Sequence, residues 1–171
     1  FPTLQTATLS NGAKVVLAQR TGVPLVEINF QFSFGYAQEN NNELGYTNFM
    51  MDMLNEGTKK YSSLQFDEVL DSLGSNLGFG SGLDTSYATV SSLKTNLEET
   101  LDLAREALIH PTFPQKEIDR IKKQTLASIV QEENRPAAIA YRNIGKLLYG
   151  DNHPYGKPLT GSGISATISD I

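Results

Sequence analysis

The sequence predicts an α+β fold, a mixed or antiparallel sheet with helices packed on one face. Three observations carry this expectation. The first third of the chain alternates apolar and polar residues with a period of two. From about residue 45 onward most apolar residues recur at three- and four-residue spacing instead. Gly, Pro, Asn and Ser separate the segments, and no linker or short repeat divides them. A chain of 171 residues can bury a core as one domain, and 39% apolar with 19% charged content excludes disorder. Residues 1–171 therefore read as a single domain. Its Phe1-Pro2-Thr3 start, without a methionine or a leader pattern, reads as a piece of a longer multi-domain chain.

In chain order, Thr6–Ser10 and Ala13–Gln19 flank Asn11-Gly12, a short hairpin signal. Val23–Phe34 alternates, with Val26, Ile28, Phe30, Phe32 and Phe34 on one face and Glu27, Asn29, Gln31 and Ser33 on the other. Gly45–Thr58 reads as an amphipathic helix closed by Gly57. Phe49, Met50, Met53 and Leu54 make its core face, and Asn48, Met51, Asp52 and Asn55 share a different one. Ser63–Leu73 is a second helix with a serine cap, and Gly74–Gly82 is a glycine-rich stretch that leads to a strand at Thr85–Leu93. Asn96 with Glu99 resembles a capping box for a helix that stops before Pro111. Pro114 opens a helix through Ile118, Ile121, Thr125 and Ile129. Pro136 opens another, with Ala140, Ile144, Leu147 and Leu148 apolar. From Gly150 the tail reads as loop.

Several functions are excluded. A net charge of −5 and a pI near 5.0 argue against a nucleic-acid surface, which needs a basic stripe. No run reaches the roughly 18 apolar residues of a transmembrane segment. The chain has no cysteine and only two histidines, His110 and His153, each before a proline, so a three-histidine zinc site cannot form within it. The glycine-rich run lacks the Gly-Lys-Ser/Thr ending of a phosphate loop. His153 and Tyr155 read as loop packing rather than an acid/base pair. Glu132, Glu133 and Arg135 read as a solvated helix end, although Glu132 continues the face of Thr125 and Ser128.

Gly45, Phe49, Met53, Leu54, Gly57 and Thr58 match in place the zinc-site signature of the pitrilysin/insulinase family of metallopeptidases, which the chain resembles. Further matches are Thr8–Val16, Gly35-Tyr36-Ala37, His110-Pro111-Thr112-Phe113 and Asp151–Gly156, so the resemblance covers nearly the whole chain. In that family an inverted His-x-x-Glu-His helix supplies two zinc imidazoles and a general base, and a glutamate on another helix completes the set. The resemblance places the two histidines at Asn48 and Asp52, the catalytic glutamate at Met51, and the second-helix glutamates at Ile121 and Ser128. All of these positions are degenerate. One carboxylate, an amide and a hydroxyl suit neither zinc nor calcium, so no metal or cofactor is expected here. These polar residues, and Met51 with them, are expected to line a wet groove.

The resemblance implies a non-catalytic domain that works with a homologous active peptidase domain or subunit, which carries the zinc. It also implies an edge strand near Gly78, Phe79, Gly80 and Ser81 that pairs with an extended peptide substrate. A periplasmic or cell-envelope location follows by analogy with bacterial relatives. The alternative is a scaffold subunit of a larger complex with no proteolytic role.

Overall fold

The computed structural model describes residues 2–20 and 22–171; Phe1, which opens the chain, lies outside them. Alternation from Leu4 to Ala18 yields β1 (Leu4–Thr8) and β2 (Lys14–Ala18), paired antiparallel with Thr8 opposite Lys14. The strands stop short of the expected Ser10 and start after Ala13. The connection spans residues 9–13, with Gly12 at φ 86° and the Asn11 Oδ1 accepting the Ala13 N–H at 3.0 Å. The hairpin is a sheet of its own, and its ten strand residues are exposed.

The second sheet has the order β3 (Leu25–Phe32), β5 (Ser86–Leu93), β4 (Asn76–Ser81), all antiparallel. Its register gathers the apolar residues. Ile28 and Leu77 both stand opposite Val90, and Phe30 and Phe79 both stand opposite Ala88. Paired residues share a face, and against this one pack α2 (Ser63–Ser72) and α3 (Leu97–Ile109). Phe66, Leu103 and Ala107 form a core there with Leu77 and Phe79 at its margin. At one end Ser75, Ser92 and Thr100 close a ring of hydroxyl hydrogen bonds of 2.8–3.0 Å, so the buried Ser92 and Thr100 are satisfied. The opposite face carries Glu27, Asn29, Thr89, Tyr87, Gly78 and Gly80.

Two glycines on that face have cross-strand reasons. A Cβ on Gly80 would lie 2.6 Å from the Tyr87 hydroxyl oxygen, and one on Gly78 would lie 2.7 Å from Thr89 Oγ1. The side chains of β5 occupy the space that β4 vacates.

Beside β4 stands α1 (Tyr46–Met53), packed on α4 (Gln115–Glu133) through Phe49, Met53 and Ile121. Its cap is remote in sequence. The Glu39 carboxylate accepts the Gly45 N–H at 2.9 Å and the Thr47 N–H at 2.7 Å, which places negative charge at the helix N-terminus. The helix ends with Leu54 as its C-cap rather than at Gly57. Gly57 has φ 154° and pairs with Ser62, and a Cβ there would lie 2.7 Å from Pro114 Cγ.

The capping box belongs to Ser62 and Gln65 at α2, not to Asn96 and Glu99. The Asn96 Nδ2 instead donates to the Leu73 carbonyl at 2.8 Å, which ties the end of α2 to the start of α3.

The C-terminal region departs furthest from expectation. α5 (Pro136–Tyr149) buries Arg142 and Gly145, and its apolar residues face out, Leu147 at 81% and Leu148 at 69% exposure. The tail is not loose loop. It ends in a short helix, α6 (Ser165–Ser169), and Ile168 is fully buried. The buried Lys157 ammonium donates to the carbonyls of Tyr36 (3.4 Å), Ala37 (2.7 Å) and Glu39, while the Tyr36 hydroxyl donates to the Leu159 carbonyl at 2.9 Å. A polar network therefore anchors the tail where hydrophobic periodicity gives no signal.

Candidate functional site

α1, β4 and α4 enclose an open groove of about 490 Å³. α1 contributes Asn48, Phe49 and Asp52, β4 contributes Phe79, Gly80 and Ser81, and β5 adds Tyr87. α4 contributes Ile121, Gln124, Thr125, Ser128 and Glu132, and the tail adds Thr160 and Ser162. Residues three and four apart share a helix face, so Asn48 with Asp52, and Thr125 with Ser128 and Glu132, look into one space. Asn48, Asp52, Ile121 and Ser128, named from the sequence as degenerate positions, therefore converge. Phe79, Gly80 and Ser81 line the same groove, while Gly78 is not among the lining residues.

Met51 corrects the sequence reading. It is 1% exposed and does not reach the groove. α1 is buried on more than one side, so a helical wheel with a single apolar stripe misplaces it. Met50 is corrected in the other direction. It lies at the surface and lines a separate apolar cavity of about 580 Å³ with Phe34, Phe113, Ile118 and Ile171.

Glu132 is no solvated helix end. The Arg142 Nη1 contacts its carboxylate at 2.5 Å and also donates to Ser162 Oγ at 2.9 Å, and Nη2 donates to the Gly163 carbonyl at 2.7 Å. The Ser162 hydroxyl donates to Glu132 at 2.9 Å. Arg142, Thr160 and Ser162 were missed because they come from α5 and the tail, where nothing in the pattern points toward α4. Gly161 brings the tail against α1; a Cβ there would lie 2.2 Å from Asn48 Nδ2.

The charged groups around the groove are unequal. Glu56, one turn beyond Asp52, is paired with Arg120, which also holds Glu117 at 2.6 Å. Asp52 opens to solvent between the groove walls. Partial desolvation, and then the nearby Glu56 carboxylate, push its pKa above the ordinary aspartate value.

As a donor set, Asn48, Asp52 and Ser128 offer an amide, one carboxylate and a hydroxyl, with no imidazole. These residues do not fit zinc, which binds through nitrogen, thiolate or several carboxylates. Among the described residues no three His, Cys, Asp or Glu side chains gather where they could hold a metal ion. His153 and Tyr155 lie outside the groove. The Tyr149 and His153 rings stack at 4.9 Å, the Tyr155 N–H donates to His153 Nδ1 at 3.0 Å, and the Tyr155 hydroxyl meets the Asp84 carboxylate at 2.8 and 2.9 Å.

An α+β domain with a helix-walled groove beside an edge strand is the class that the fold and the site define. The sequence matches the family described as insulinase (peptidase family M16) over residues 14–162, and the chain belongs to that family. It is 26% identical over 163 residues to an "uncharacterized zinc protease" of Rickettsia felis, covering 95% of this chain and 39% of that protein. It is 28% identical over 126 residues to the "non-peptidase homolog YmxG" of Helicobacter pylori, covering 72% of this chain and 29% of that protein. A crystal structure of a peptidase M16 inactive domain from Pseudomonas fluorescens superposes with a TM-score of 0.90 at 30% identity, over 98% of this chain and 40% of that one. The chain thus spans well under half the length of each of these proteins.

Proposed function

We propose that this chain is a non-catalytic, zinc-ligand-deficient domain of an M16-type peptidase, which supports peptide binding and hydrolysis by an active homologous domain or subunit. One observation carries the proposal. Asn48, Asp52 and Ser128, the residues at which the resemblance places the zinc ligands, line a single groove. Ile121, in place of an acidic residue, contributes to the apolar contact between α1 and α4. Similarity to a non-peptidase homolog and to an inactive M16 domain supports the same reading. Zinc then belongs to the active partner, and the peptide-binding role here falls to β4.

The strand order leaves β4 at the sheet edge, and Phe79, Gly80 and Ser81 border the groove. An extended peptide can add to such an edge through main-chain hydrogen bonds, and glycine allows its backbone to come close. Two measurements test the proposal. Stoichiometric zinc in the purified chain after dialysis would refute the loss of the metal site. In a peptide titration followed by amide shifts, residues 74–90 move if β4 takes the peptide and stay still if it does not. A periplasmic or envelope address, by analogy with bacterial relatives, is read by cell fractionation.

A second reading rests on the outer surface. Leu4, Val16, Leu147 and Leu148 are more than half exposed, on the hairpin and on α5, which favours burial against a larger assembly. Co-purification with a complex that contains no peptidase would favour a scaffold role.

A further inference from the structure

The groove beside β4 contains a carboxylate that the fold leaves without a counter-ion. Four acids around it are engaged. Glu132 is held by Arg142 and Ser162, Glu56 and Glu117 by Arg120, and Glu39 by the backbone N–H groups that open α1. Among the described residues Asp52 has no hydrogen-bond or ion-pair partner, and its main electrostatic neighbour is a second carboxylate, Glu56. Among the described residues the charged side chains on the groove wall are Asp52 and Glu132, both acidic. Tyr87, on β5, lines the same groove and is 42% exposed, with its ring end over Gly80.

We infer that the groove selects an extended peptide carrying a lysine or arginine side chain, whose cation sits against Asp52 beside the ring of Tyr87. This rests on the strand-addition reading of β4 and names the peptide class that it would take. The chemistry is complementary on three counts. A cation replaces the missing partner of Asp52 with a charge-assisted contact. Ser128 and Asn48, which line the same groove, offer neutral acceptors, and an aromatic face attracts a cation. An anionic side chain would meet two carboxylates and no free cation. Strand geometry makes the selection positional, since successive side chains of an extended peptide point to opposite faces. Only every second residue can look into the groove.

The test uses this chain with three synthetic Thr/Val octapeptides, measured by titration calorimetry. One carries a single lysine, one carries norleucine at the same position, and one has the lysine moved by one residue. The lysine peptide is expected to bind about tenfold more tightly than the norleucine peptide at low salt, a difference that shrinks as salt screens the contact. Moving the lysine by one residue is expected to abolish the advantage. Asp52→Asn is expected to bring the lysine peptide to the norleucine level, and Asp52→Glu to retain the preference. Because Asp52 is unpaired, Asp52→Asn removes no contact that the fold uses. Equal binding of the lysine and norleucine peptides, with the β4 amides still shifting, overturns this inference and leaves strand addition standing. Absence of binding by every peptide overturns both.

Discussion

The guanidinium of Arg142 on α5 meets the carboxylate of Glu132 on α4 at 2.5 Å, and the same guanidinium reaches Ser162 and Gly163 in the tail. One buried cation thus joins two helices and a loop behind the groove. Removing one partner of such a pair strands the other charge. Arg142→Met is therefore expected to lower the unfolding free energy by about 3 kcal/mol in urea denaturation. The double variant with Glu132→Gln is expected to lose less than the sum of the single variants, because the two groups are in contact.

Asp52 makes stability depend on pH. Its folded pKa is raised above 3.8, first by desolvation and then by Glu56, so the fold favours its protonated form. A carboxyl shifted upward contributes stability that is complete below the unfolded pKa and is lost as pH rises through the folded pKa. Asp52→Asn is expected to raise Tm at pH 7, and the gain is expected to vanish near and below pH 3.8. A thermal scan at several pH values reads the difference; an Asn variant that is less stable at neutral pH would contradict it.

Gly145 inverts the usual helix rule. In an exposed helix interior, Gly→Ala stabilises by about 1 kcal/mol. Here a Cβ would lie 2.4 Å from the Tyr155 carbonyl oxygen and 2.9 Å from that of Lys157, backbone atoms that cannot swing aside. Gly145→Ala is expected to destabilise by about 1–3 kcal/mol, measured by the denaturation midpoint. Gly80→Ala meets only the movable end of Tyr87 and is expected to be milder.

Convergence in the groove can be tested by restoring ligands. A variant combining Asn48→His, Asp52→His and Ser128→Glu is expected to bind one zinc ion in equilibrium dialysis and to gain thermal stability when zinc is added. It should remain without peptidase activity, because Met51, where the resemblance places the general base, is a buried thioether that cannot take up a proton. Failure of this variant to take up zinc would mean that the three positions do not converge closely enough.

Where an element is regular and partly buried, its sequence is a good guide. The alternation of β3 and the three- and four-residue repeats of α2, α3 and α4 correspond to elements close to their expected bounds. Asn48, Asp52 and Ser128 were expected at one site because a family signature locates residues by spacing, and the three line one groove. Met51 was assigned to the wrong face, and α5 formed as expected but with an orientation that its period did not give, for a shared reason. Periodicity reports that a helix has an apolar stripe, but not how many sides are covered or which side meets the protein. α5 turns a buried arginine inward and leaves leucines outside.

The sequence by itself determined the fold class and the family, because these depend on local period, turn residues and spacing along the chain. Tertiary structure decided which polar groups are satisfied and which remain free. Glu39 caps α1, Lys157 and Arg142 fasten the tail, and Glu56 and Glu132 find cations, while Asp52 finds no partner among the described residues. Those partnerships join residues up to 121 positions apart. They arise because a buried polar group must be matched by whatever the fold brings within about 3 Å of it, regardless of distance along the chain.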